Sequence, residues 1–231
     1  MGTSIADLQN TAPLSSALTS LGMATWNIEY RQTDNSGGGW TGTFDDVANS
    51  IDYLRVLAKA YPLDLNRVVV VGHSAGGHLG TWAAARHRLS KASPLFSMEP
   101  LRVVGVVNLA GPTDLESILP IQSQLCGAPV ITNLLGGSPS KVSERYRHAS
   151  PSNLLPIRVK QVLITGAQDK LIPTRWGEKY EEEAKKVGDD VSFLAVENAS
   201  HFEVISPGSV AWPKVEEAVL SMLKLNRVTS K

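Results

Sequence analysis

The stretch VVVVGHSAGGHLG, residues 68–80, decides how the rest of the chain is read. Its unbroken valine run has the composition of a strand covered on both faces. The residues that follow, HLGTWAAARH at 78–87, are helix-prone. Between the two, Gly72, His73, Ser74, Ala75 and Gly76 spell G-x-S-x-G. Those letters alone are common. After a β run and before a helix they describe a sharp turn whose small flanking residues let a serine take a strained backbone and face the end of a sheet. The plainer reading is a glycine-rich corner that only joins strand to helix.

Working outward, the valine run is one of five apolar stretches: ATWNIEY (24–30), RVVVVG (67–72), RVVGVVNLA (102–110), KQVLITG (160–166) and VSFLAV (191–196). Between the first two, Phe44, Val47, Ile51, Leu54, Ala58 and Tyr61 repeat at helical spacing, with Thr43 and Asp46 as a capping box. TRWGEKYEEEAKKVG (174–188) closes on two lysines and a glycine, as a helix end does. AWPKVEEAVLSMLKL (211–225) places Pro213 near a helix start, and Val215, Ala218, Val219, Met222 and Leu223 share one face. APLSSALTSLG (12–22) is also helix-like. Such alternation predicts an α/β fold with a mostly parallel, doubly wound sheet and right-handed crossovers. The segment from Leu115 to Leu155, rich in Gly, Pro and Ser, reads as a small cap or a set of short helices over the sheet edge.

Serine is a weak nucleophile at neutral pH. It needs an imidazole to take its proton and a carboxylate to orient that imidazole. LITGAQDKLIP places Asp169 just past a strand end, and LAVENASHFEVI places His201 in the loop after the last strand. The order Ser74, Asp169, His201 is that of a serine turn on an α/β sheet. Asp114, in NLAGPTDL, also follows a strand end and is the rival acid. His201 has a plainer reading as a ring packed beside Phe202. His73 and His78 lie in the turn and along its helix, while His87 and His148 neighbour arginines. No H-x-x-x-H or H-E-x-x-H spacing exists, so neither metal nor cofactor is expected.

The 231 residues suit one domain spanning 1–231, and 42% hydrophobic with 19% charged residues is a globular composition. Lys plus Arg equals Asp plus Glu at 22 each, so no net field would draw nucleic acid or an acidic membrane surface. Cys126 is the sole cysteine and reads as a partly buried structural thiol in a reduced compartment. No apolar segment of signal type precedes Arg31, so the cytoplasm is the expected location.

With these residues in place the chain resembles the α/β-hydrolase superfamily. More narrowly, it is similar to the small bacterial esterases grouped with feruloyl and acetyl-xylan esterase-like and arylformamidase-like hydrolases. The likeness runs from about Pro13 onward and rests on WNIEYR, the GGGW loop with TFDDV, VVVVGHSAGGHLG, SPSNLLP, VLITGAQDKLIP and ASHF. It implies Ser74 as nucleophile, Asp169 as acid, His201 as base and the Ala75 N–H as an oxyanion donor, acting on a small-molecule ester without a cofactor. Trp40 and His73 become substrate-pocket candidates. For Trp40 the equal alternative is an aromatic pinned on the core. Relatives carry a strand ending in His-Gly-Gly before the strand equivalent to WNIEYR. No HG pair precedes residue 70 here, so the fold is expected to lack N-terminal strands and that oxyanion loop. Its two neighbouring strands would then close up, or the chain is part of a longer protein. The resulting expectation is a serine esterase. An arylformamidase-like amide hydrolase and an impaired, non-enzymatic relative stand as alternatives.

Overall fold

The computed structural model describes residues 8–226, apart from the side chains of Leu125 and Cys126, so the expectation for the Cys126 thiol lies outside the described residues. Four strands, β1 (Val69–His73), β2 (Gly105–Leu109), β3 (Lys160–Gly166) and β4 (Val191–Val196), form one parallel sheet in the order β1-β2-β3-β4. Val71 of β1 stands opposite Val107 of β2. On β2, Val106 faces one layer and Val107 the other, and each joins a separate buried cluster. Helices α2 (Gly42–Asp52) and α4 (Ala75–Ala85) supply Phe44, Val47, Leu79 and Trp82 to the first. Helices α1 (Leu8–Ser20) and α9 (Trp212–Leu223) supply Leu14, Leu18, Val215 and Val219 to the second. Helices therefore cover both faces, as the alternating apolar pattern predicts.

Three expectations are corrected. Residues 24–30 form no strand. A strand persists only where its N–H and C=O groups find a ladder, and among the described residues β1 pairs with β2 alone. The 24–30 run is tied to helices by side chains instead. Asn27 Nδ2 donates to the Leu8 carbonyl, Trp26 Nε1 donates to the Ser50 carbonyl, and Trp26 stacks on Tyr53 while staying 48% exposed. The helix expected to reach Tyr61 breaks at Tyr53, and only the short α3 (Leu54–Leu57) follows. The capping box does not form. Thr43 lies inside α2 and donates its hydroxyl to the Arg31 carbonyl, while Asp46 takes the Arg31 guanidinium at 2.7 Å.

Between Leu115 and Leu155 the chain folds into α5 (Gln122–Cys126), α6 (Val130–Leu135) and α7 (Pro139–Ala149), flanked by 3-10 turns. Leu115, Ile118, Leu135 and Tyr146 are buried in the first cluster. Two side chains of α4 fasten α7 from beneath: a His78 ring nitrogen meets the Ala149 carbonyl at 2.9 Å, and Trp82 Nε1 donates to the His148 carbonyl. Downstream, α8 (Thr174–Lys186) ends on Lys185 and Lys186 with Gly188 at φ +82, as its sequence predicts.

Candidate active site

Ser74 sits between β1 and α4 with φ 52 and ψ −118, a backbone that side-chain-bearing residues rarely adopt. The corner is fixed from two directions. Its N–H donates to the Leu109 carbonyl at the end of β2, at 2.8 Å. Gly72 faces the Gly76 carbonyl so closely that a Cβ would collide with it, whereas Gly76 itself has open space. Of the two glycines in the motif, the first is therefore the one that sterics demand. Ala75 is exposed and opens α4. The N–H groups of a first helical turn have no intrahelical acceptor, and the positive end of the helix dipole lies beside them.

Asp169 follows β3, and its two carboxylate oxygens have divided roles. Oδ1 accepts the N–H groups of Leu171 and Ile172 at 2.8 and 2.9 Å. Oδ2 meets Nδ1 of His201 at 2.7 Å. Burial pushes the Asp169 pKa up, but the hydrogen bonds from His201, Ile172 and Leu171 outweigh it and hold the carboxyl below its ordinary value. A carboxylate can only accept, so Nδ1 of His201 carries a proton towards it, and in the neutral ring Nε2 is the nitrogen with the lone pair. The pair is almost fully withdrawn from solvent, with side-chain exposures of 8% for His201 and 0% for Asp169.

The loop that carries His201 reaches Asp169 because it lies flat on the end of β3. Gly166 touches the Ala199 and Ser200 carbonyl oxygens at a distance no Cβ would tolerate. Ala167 and Gln168 donate their N–H groups to Val196 and Ala199 at 2.8 and 2.9 Å. Glu203 turns back to accept from both the N–H and the hydroxyl of Ser200. The local sequence signal for this approach is the glycine at the end of an apolar strand, where another backbone can come close.

His73 joins the serine corner to the His201 loop. Its Nε2 lies 2.8 Å from the His201 carbonyl oxygen, and the two rings are 4.6 Å apart. Burial, followed by the nearby His201 ring, pushes its pKa down to about 4. Trp40 is held elsewhere, edge-on to Phe44 at 5.6 Å and beneath the Arg145 guanidinium at 5.7 Å. The rival acid, Asp114, accepts the Glu116 N–H and stands 4.0 Å from Lys179. It borders a small cleft with Thr113, Trp176 and Glu183 whose lining includes none of Ser74, Asp169 and His201. His78 is buried inside α4, and that burial lowers its pKa to about 4. Among the described residues no group of three His, Cys, Asp or Glu side chains could hold a metal ion, and no helix is long and apolar enough to cross a membrane.

A parallel sheet whose first strand turns at a serine into a helix, with a His–Asp pair at the ends of later strands, defines the α/β-hydrolase fold. Residues 1–183 match the BD-FAE family, and the chain belongs to it. It is 23% identical over 177 residues to the probable carboxylic ester hydrolase LipM of Mycobacterium tuberculosis, covering 76% of this chain and 40% of that relative's length. Among solved structures, a truncated carbohydrate esterase from gut microbiota superposes with a TM-score of 0.75 at 19% identity, over 92% of this chain and 79% of the other. The propionate-bound esterase Est2 of Thermogutta terrifontis gives 0.72 at 19% identity, over 97% and 80% of the two chains. At these identities the superpositions establish the fold.

Proposed function

We propose that the chain is a serine hydrolase of carboxylic esters with small acyl or aryl groups. The observation that carries this reading is the buried 2.7 Å contact between His201 Nδ1 and Asp169 Oδ2, tied through His73 to the strained Ser74 corner. The Ser74 hydroxyl proton passes to His201 Nε2 as Oγ bonds to the ester carbonyl carbon. The carbonyl oxygen becomes an oxyanion, to which the Ala75 N–H donates at the positive end of α4. Collapse of the tetrahedral adduct expels the alcohol, which leaves with the proton from His201. Water then repeats the sequence on the acyl-serine and releases the acid. Asp169 holds the imidazole in the tautomer this requires and stabilises the imidazolium.

The family relationship and the ester hydrolase named among the relatives support the reaction class. Propionate bound in a protein of the same fold supports a small acyl group. Trp40 carries the weaker pocket proposal, because its ring is already committed to Phe44 and Arg145. The test is initial-rate hydrolysis of p-nitrophenyl acetate and propionate by the chain and by Ser74→Ala. Turnover that falls by a factor of about a thousand or more in the alanine variant, with thermal stability retained, is the expected result. Equal rates in the two proteins overturn the proposal.

A further inference from the structure

We infer that His73 is a positioning residue whose Nε2–H, donated to the His201 carbonyl, fixes the His201 loop relative to the Ser74 corner. The inference rests on the esterase reading and assigns to this chain a fourth side chain serving the site.

His201 lies outside the sheet ladder, in a turn that follows β4. The Asp169 contact fixes its ring at Nδ1, and Gln168 and Glu203 hold the neighbouring Ala199 and Ser200, but none of these bonds reaches the carbonyl of His201 itself. The His73 bond at 2.8 Å does, and it anchors the peptide group of His201 to the last residue of β1. A carbonyl oxygen can only accept, so His73 Nε2 carries the proton and Nδ1 does not. Since His73 precedes Ser74 directly, the same bond sets the spacing between proton donor and acceptor. The ring contact at 4.6 Å adds a packed surface between the two histidines.

The ring is also suited to stay uncharged. Its pKa is lowered to about 4 by burial, then by His201. A second positive charge at this distance would oppose protonation of His201 during the reaction. In a substrate-pocket role His73 could offer a ligand only its Nδ1 side or its ring face, because Nε2 is occupied by the His201 carbonyl.

The experiment compares wild type with His73→Gln and His73→Phe. Glutamine carries an amide N–H about as far from the backbone as His73 Nε2, whereas phenylalanine fills the ring's space without a donor. Misplacing a catalytic group by about 1 Å costs up to roughly a hundredfold, so His73→Phe is expected to lower kcat about 10- to 100-fold with KM within about twofold. His73→Gln is expected to recover all but about threefold to fivefold of that loss. The low-field proton resonance of His201 Nδ1–H should persist in His73→Gln and broaden or vanish in His73→Phe. If His73→Phe does not fold, His73→Asn replaces it, because its amide ends short of the carbonyl.

Equal kcat in the glutamine and donor-free variants, or a raised KM with unchanged kcat in the donor-free variant, overturns the inference. Should wild type itself fail to hydrolyse either ester, the esterase reading falls alone and the resonance decides. Its selective loss in the donor-free variant supports the positioning role, and its equal presence in all the proteins refutes it.

Discussion

Val71 and Val107 are the same residue type, stand opposite each other in the ladder and face the same layer, yet only Val107 is fully buried. The difference extends to their strands: every residue of β1 is half-buried, and every residue of β2 is buried. Composition cannot separate them, because both are valine-rich. Neighbours do. β2 has a strand on each side, whereas β1 has β2 on one side alone among the described residues. The comparison carries over to the site. Ser74 grows from the half-exposed strand, while Asp169 grows from β3, whose last six residues are all buried. The Ser74 corner is held by its N–H bond to the Leu109 carbonyl of β2, from behind by α4, buried from Gly77 to Ala85, and from the side by the His73 bond. A serine turn can thus be held by one neighbouring strand, the helix it feeds and a loop it touches when, as among the described residues here, its strand has a partner on one side alone.

The largest expected effect comes from breaking the well-buried half of the site. Asp169→Asn should lower kcat for ester hydrolysis by about ten-thousandfold, because an amide donor facing His201 favours the wrong tautomer. Stopped-flow or steady-state rates with p-nitrophenyl acetate check this, with circular dichroism confirming the fold.

A second prediction probes the helix behind Ser74. His78 has a pKa lowered from 6.5 to about 4 by burial. The unfolded chain therefore takes up a proton on this side chain as pH falls through 6.5, while the folded chain resists until about 4. Stability should be flat above that window, fall within it and level off below it. At about 1.4 kcal/mol per unit, His78 alone accounts for roughly 3 kcal/mol. Urea unfolding of wild type and His78→Gln across this range should show a shallower slope in the variant, and identical slopes would refute the assignment.

The smallest expected effect sharpens the strand comparison directly. Val107→Ala should cost roughly 2 kcal/mol, for two buried methyl groups and the cavity they leave, and Val71→Ala about 1 kcal/mol. Paired denaturant midpoints measure the difference. Equal costs would mean that the open edge of β1 is covered in solution.

Much of the architecture was legible along the chain. The runs at 67–72, 102–110, 160–166 and 191–196 each contain a strand, and the helices at 174–186 and 212–223 lie where their apolar faces and end residues put them. Residues 24–30 misled for a physical reason. A short apolar run reports willingness to pair, but a strand also needs a ladder partner, which no local pattern contains. The capping box failed similarly, because Thr43 and Asp46 found stronger partners in Arg31, twelve and fifteen residues away.

What the sequence determined by itself is the chemistry at hand and its local geometry: a serine in a strand-to-helix corner, a carboxylate and an imidazole after later strands, and the helices between them. These depend on short-range sterics and periodicity, which a few adjacent residues carry. Tertiary structure alone decided which acid meets His201, because Asp114 and Asp169 both follow strand ends and only the loop lying on Gly166 brings one within 2.7 Å. It also decided that His73 bonds to a carbonyl 128 residues away, a relation created by the ladder and invisible to any window of the chain.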